Sequence, residues 1–195
     1  RQSEKYSRIC EINRRGTWLI LGLDISTSIT GVCILNANGD ILFNDYIDTR
    51  KFKCFFEKTD KVKEYLQELP GKYEIKHIFV EQSLQSFRSG FSSAKTLSTL
   101  SRFNGVVSWL CYEIWGIKPE YVAAISARKL CGIKVPRGTK AKAVVIKFLL
   151  DNEDSFVVEY TKHGNIKQYY YDMADSIIIA RAGSKIILDN KRKVC

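Results

Sequence analysis

The chain has 195 residues, 45% hydrophobic and 27% charged, a balance that fits one globular domain and excludes a disordered polyelectrolyte or a collagen-like fibre. Thirty-one Lys and Arg against 21 Asp and Glu leave a formal charge of +10, which points to a polyanionic partner, nucleic acid first. Six scattered cysteines without a C-x-x-C pair, and only two histidines, argue against a Cys/His zinc site, and no run approaches the roughly 20 apolar residues of a membrane span.

Residues 1–16 carry Arg1, Lys5, Arg8, Arg14 and Arg15 and read as a basic arm. The run Trp18–Asp24 has the short apolar form of a buried strand, closed by a carboxylate. An ionised carboxylate buried alone costs several kcal/mol or more, so Asp24 needs a donor or a cation beside it; it either caps a turn or holds a metal. Thr30–Leu35 reads as a second strand and Ile41–Tyr46 as a third, joined by the Asn/Gly turn at 36–40. The three form an antiparallel meander.

Glu57–Leu69 has helical spacing, with Val62, Tyr65, Leu66 and Leu69 on one face, and Pro70-Gly71 closes it. Ile75–Val80 is a fourth strand that runs into Glu81 as the first runs into Asp24. Residues 82–93 read as a polar loop with Phe87, Arg88 and Phe91. A long helix follows over Ala94–Trp115. Tyr121–Ile125 is the fifth strand, and Ser126 is the expected cap of a short helix over 127–131. Residues 132–142 form a Gly/Pro-bearing loop with Lys134, Arg137, Lys140 and Lys142, a composition suited to phosphate contact. Thr139 is the expected cap of a helix over 140–150. Phe156–Tyr160 and Ile166–Tyr171 pair as a hairpin in this reading, with the tyrosines at 169–171 packing inward. The last helix is expected over Asp172–Ala182, before a basic tail. The domain thus spans 17–183, with an arm at 1–16 and a tail at 184–195.

Four acids stand at element ends: Asp24, Glu81, Asp172 and Asp175. The D-x-x-D pair shares a helix face and is stabilised by the helix dipole whether or not it binds anything. Brought together, however, the four repel one another unless divalent cations sit among them. Magnesium prefers such oxygen ligands, and two ions about 4 Å apart suit phosphodiester hydrolysis.

The element order matches the RNase H-like fold, an α/β architecture with a five-stranded mixed sheet whose first three strands are antiparallel, flanked by helices. The segments LGLDISTSITGVCIL, IFVEQ and DMADSIIIARA resemble the three acidic motifs of RuvC-type Holliday junction resolvases. The resemblance covers about Trp18 to Ala182. It implies a Mg²⁺-dependent endodeoxyribonuclease that resolves four-way junctions by paired symmetric nicks, as a homodimer on branched DNA. It places two ions, Mg²⁺ with Mn²⁺ as substitute, on Asp24, Glu81, Asp172 and Asp175. Lys142, after G-T-K-A, matches a catalytic lysine. A second family lysine falls near Cys131, where Lys129 or Lys134 stands in; these two, with Arg137 and Lys140, are the expected DNA contacts. Phe87, Arg88 and Phe91 fall in the loop that in the family enters the junction. The long helix Ala94–Trp115 is the expected dimer face. The extended 151–171 stretch points to a viral, phage or organellar branch.

Several alternatives accompany that reading. A relaxed nuclease for branched DNA would use the same acids. The segment DISTSITGVCILNANGDIL also resembles the first phosphate motif of actin-like ATPases and sugar kinases, but those need two domains and a second Asp-x-Gly loop, which is missing here. A non-catalytic binding module would not need all four acids. Cysteines in apolar surroundings fit a reducing intracellular compartment, the cytoplasm of a bacterium or infected host, or an organelle.

Overall fold

The computed structural model describes residues 18–83 and 94–194. The expected basic arm at 1–16 and the expected contacts Phe87, Arg88 and Phe91 lie outside the described residues. Five strands form one mixed sheet in the order β3-β2-β1-β4-β5: β1 (Leu19–Asp24), β2 (Ile29–Leu35), β3 (Ile41–Asp48), β4 (Ile75–Glu81) and β5 (Glu120–Val122). β1, β2 and β3 are antiparallel neighbours, whereas β4 runs parallel to β1 and β5 parallel to β4. The expected RNase H-like sheet is therefore present.

Side chains alternate across a strand, so each strand feeds two cores. Leu19, Leu21 and Leu23 of β1 join Val32, Ile34, Ile78 and Val80 in a core under α1 (Phe55–Gln67) and α2 (Ala94–Trp115). Ile20, Cys33, Leu35 and Phe79 point the other way, into a core under α3 (Ala124–Leu130), α4 (Ala141–Asn152) and α5 (Tyr169–Val194). The central strands are buried on both faces, which is why β1 reads as a continuous apolar run rather than an alternating one.

Several boundaries differ from the sequence reading. α3 starts at Ala124, with Ala123 as its N-cap and no side-chain cap, so Ser126 sits inside the first turn. The cause is β5, whose pairing ends where Val122 meets Glu81. Thr139 is not a cap either: its hydroxyl donates to the Pro136 carbonyl at 2.6 Å and closes the preceding turn, leaving Lys140 at the N-cap of α4. The expected hairpin shrinks to one bridge, Tyr160 with Ile166. Its second arm is lost because Tyr169–Tyr171 open α5, where Tyr170 is buried and Tyr169 stacks on Tyr46 of β3 at 4.0 Å. α5 itself does not stop at Ala182. It runs 26 residues to Val194, across the boundary expected at 183, because Ser184 and Ile187 are buried and Lys185 donates to the Leu130 carbonyl of α3 at 2.8 Å.

Candidate metal centre

The period of two that splits the cores also places the acids. Asp24 lies two residues beyond Gly22, on the face covered by α5, and Glu81 lies two beyond Phe79 on the same face. β1 and β4 are parallel neighbours with Leu23 opposite Val80, so the next residue of each strand, Asp24 and Glu81, emerges side by side at one rim of the sheet. The Asn104 amide of α2 donates to the Glu81 carbonyl at 3.0 Å and fixes the end of β4.

The acids of α5 arrive because two glycines let that helix lie against the sheet. A Cβ on Gly31 would stand 2.0 Å from the Asp172 carbonyl oxygen, and one on Gly22 2.6 Å from both the Ala180 Cβ and the Ser176 carbonyl. Gly31 is also the β2 partner of Asp24, so the closest approach of helix to sheet coincides with the carboxylate. The Asn44 amide of β3 adds a clamp, donating to the Val32 carbonyl at 3.1 Å and the Met173 carbonyl at 3.3 Å.

As a result Asp24, Glu81 and Asp175 each present a carboxylate oxygen within 4.8 Å of the others. Asp172 stands at the edge of this trio and not within it. Its carboxylate accepts a hydrogen bond from Lys142 Nζ at 2.6 Å. The same ammonium lies 3.3 Å from Asp175 and 3.8 Å from Asp24, so the lysine of the first turn of α4 bridges three of the four acids.

The electrostatics record how unfavourable this convergence is without a cation. Burial, followed by the Glu81 charge, holds the Asp24 carboxyl well above the usual carboxylate range. Burial and Asp175 push Glu81 up to about 7, although Lys142 and Arg128 pull the other way. Asp175 is likewise raised by burial, against the pull of Lys142. For Lys142, burial alone would lower the pKa, but Asp24, Asp175 and Asp172 reverse this and hold it above its ordinary value. Three raised carboxyls with no nitrogen or sulfur ligand in the trio suit a hard divalent cation, since such an ion removes the repulsion that burial aggravates.

The other expected contacts divide. Lys129 and Lys134 line a cavity of about 350 Å³ with Arg128, Gly132, Ile125 and Val135. Arg137 and Lys140 are exposed on the turn before α4. Arg128, which the sequence reading passed over, is half-buried, and its charge acts on both Glu81 and Asp175. The signal for it was helix phase. Once α3 starts at Ala124 with Ala127 in the core, position 128 turns toward the sheet and position 129 toward solvent. Cys33, Cys54, Cys111 and Cys131 are free thiols, and among the described residues no helix is long and apolar enough to cross a membrane.

The sequence matches no protein-family model, and no curated protein matches it. Solved structures do. Thermus thermophilus RuvC in complex with a Holliday junction substrate superposes with a TM-score of 0.62 at 13% identity, covering 88% of this chain and 96% of that one. A second T. thermophilus RuvC structure gives 0.59 at 16% identity over the same shares. The yeast mitochondrial Holliday junction resolvase Ydc2 gives 0.58 at 15% identity, covering 100% of this chain and 90% of that one. The chain has the fold of RuvC-type resolvases.

Proposed function

We propose that this protein is a metal-dependent DNA endonuclease that resolves four-way junctions. The observation that carries the reading is the convergence of Asp24, Glu81 and Asp175 around space that Lys142 borders. The resolvase fold and the surplus of positive charge support it. In this reading Asp24, Glu81, Asp172 and Asp175 hold two Mg²⁺ or Mn²⁺ ions. Bound there, such ions supply an acidified water as nucleophile and stabilisation of the leaving 3′-oxygen.

The chain's own groups do the rest. Lys142 neutralises the carboxylates before DNA arrives and then faces the negative charge of the cleaved phosphodiester. Asp172, held by Lys142 at the edge of the trio, would be the fourth carboxylate available to such ions. Lys129, Lys134, Arg137 and Lys140 hold backbone phosphates, and Phe87, Arg88 and Phe91 supply the junction-entering loop. Phosphate contacts orient the duplex arms without reading sequence, so selectivity comes from junction shape.

Paired nicks need two such sites, and a second copy docking on α2 is the arrangement we favour. Trp109 and Tyr112 are exposed on that helix, and Phe56 stands beside it across an apolar groove of about 690 Å³. The test is incubation of a mobile synthetic four-way junction with protein and Mg²⁺, reading both arms for paired nicks. Flaps and Y-forks run in parallel would identify a relaxed branched-DNA nuclease. Asp24→Asn is expected to abolish nicking while gel-shift binding of the junction persists, because cations hold the DNA. Retained cutting by Asp24→Asn would sink the reading.

A further inference from the structure

The rim that carries the acids is also the rim where the three strands running in the same direction as β1 end, and cations lie just past the flanking ends. β1, β3, β4 and β5 all run the same way, so Asp24, Asp48, Glu81 and Val122 finish at one edge of the sheet. The middle pair ends in the acids Asp24 and Glu81, while Asp48 at the end of β3 is paired with Arg50. The β5 end leads to Arg128 and Lys129. The β3 end, on the opposite side of the acids, leads straight into Arg50, Lys51 and Lys53, all exposed.

We infer that this β3–α1 segment is a second phosphate-binding wall, gripping a duplex arm on the side of the metal centre opposite Lys129 and Lys134. The inference rests on the junction-nuclease reading and adds a surface that neither the motifs nor the expected contacts include.

The segment is braced against the turn that follows Asp24. The Thr49 amide donates to the Ser28 carbonyl at 2.9 Å, and its hydroxyl lies 3.0 Å from the Thr27 carbonyl and 3.1 Å from that of Ser28. Lys58, from the first turns of α1, also donates to the Thr27 carbonyl. Buried Thr49 thus ties the exposed cations to the turn that follows the first acid. Their distance from the site is therefore set by the fold. Arg50 is aimed by a two-point contact with Asp48, with Nη2 to Oδ2 at 2.6 Å and Nε to Oδ1 at 3.0 Å. Its charge and that of Asp172 act on each other across the rim. Lys51 lies over the Phe52 ring at 5.0 Å, and Lys53 makes no ion pair among the described residues. A lone patch of lysines is commonly just solvated, but here two cationic strand ends bracket an acidic centre that would by itself repel DNA.

The experiment measures junction affinity against salt for the wild-type protein, in Ca²⁺ so that binding is read without relying on cutting. Each lost phosphate contact makes the slope of log K against log[salt] shallower by about 0.9. Lys51→Gln/Lys53→Gln, which leaves the Arg50–Asp48 pair intact, is expected to flatten the slope by about 1.8 and to weaken binding. The control, Lys72→Gln/Lys76→Gln near the opposite rim where β4 begins, is expected to leave the slope unchanged. Adding Arg50→Ala should flatten it by about one further contact. An unchanged slope for Lys51→Gln/Lys53→Gln, in a protein that still binds and nicks junctions, overturns the second wall and spares the nuclease reading. A wild-type protein that neither binds nor nicks junctions defeats that reading instead.

Discussion

The two faces of the sheet are made from alternate residues of the same strands, yet they differ along their length. The face under α1 and α2 is uniform: Leu19, Leu21 and Leu23 on β1, Ile34 and Val32 on β2, Ile78 and Val80 on β4. The face under α5 is graded. β1 shows it Ile20, then Gly22, then Asp24; β2 shows it Leu35, then Cys33, then Gly31; β4 ends on Phe79 and then Glu81. Bulk gives way to no side chain and then to charge, so α5 packs on large residues at one end and touches backbone at the other. The uniform face supplies stability by burial, about 1.5–3 kcal/mol for each large apolar side chain. The graded face gives up some of that burial and brings carboxylates together.

Substituting one residue on each face separates the two roles. A methyl group at Gly31 would overlap the Asp172 carbonyl, so α5 must move and carry Asp172 and Asp175 with it. Gly31→Ala is expected to cost about 1–3 kcal/mol in stability and, through displacement of the acids, about 10²-fold in nicking rate. Leu21→Ala on the uniform face is expected to cost more stability, about 2–5 kcal/mol, while the folded fraction keeps its nicking rate. Thermal melts and single-turnover nicking on both proteins check this. Comparable losses of specific activity would mean that the graded face has no special tie to the site.

Lys142→Ala tests what holds the graded face together at its charged end. Removing the ammonium leaves Asp172, Asp175 and Asp24 without their shared partner. Nicking is expected to slow by about 10²-fold, the low end of the range for loss of one group aimed at transition-state charge. Junction affinity should change by only a few-fold, because one phosphate contact at most is lost. Equal losses in rate and affinity would reduce Lys142 to a phosphate anchor.

The metal-free protein should also reveal the graded face through pH. Glu81 titrates near 7 in the folded protein against about 4.5 when unfolded. Between those values the unfolded chain gives up its proton first, so stability is greatest below about 4.5 and is lost as pH rises through 7. The loss is on the order of 3 kcal/mol. Glu81→Gln should flatten the curve, and Mg²⁺ should restore stability at pH 8. Denaturant midpoints at a series of pH values measure it, and a wild-type curve already flat would show that neither burial nor the neighbouring carboxylates raise Glu81.

Much of this was legible in the sequence, for a physical reason. Strand-end acids advertise themselves, since a carboxylate directly after an apolar run must meet something polar, and Asp24 and Glu81 both follow such a run. The antiparallel meander of the first three strands followed from their apolar runs and the turn at 36–40, whereas the order of the sheet and the parallel placing of β4 and β5 came from the structure. What stayed hidden depended on distance and phase. Nothing in the string GVC marks Gly31 as the contact point of a helix some 140 positions away. The three tyrosines read as strand because β propensity favours them, and packing against Tyr46 and Phe156 overrode it. The end of α5 was misplaced because basic residues beyond Ala182 look like a tail, while buried Ser184 and Ile187 keep the helix going.

Helix phase gives the smallest effect and the finest test. The family resemblance left the second cation open between Lys129 and Lys134, yet Arg128 is the one whose charge lowers both Glu81 and Asp175. Arg128 is half-buried and Lys129 exposed, so neighbours in sequence should fail in different assays. Arg128→Ala is expected to slow nicking several-fold at saturating enzyme, a loss of about 1 kcal/mol, and to raise the pH at which the metal-free protein loses stability. Lys129→Ala should leave the saturated rate alone and flatten the salt dependence of binding by about one contact. Arg128→Lys should recover most of the rate, since charge at that position is what the carboxylates feel. If Lys129→Ala slows the saturated rate and Arg128→Ala does not, α3 presents its other face to the site, and the cation beside Glu81 has to be reassigned.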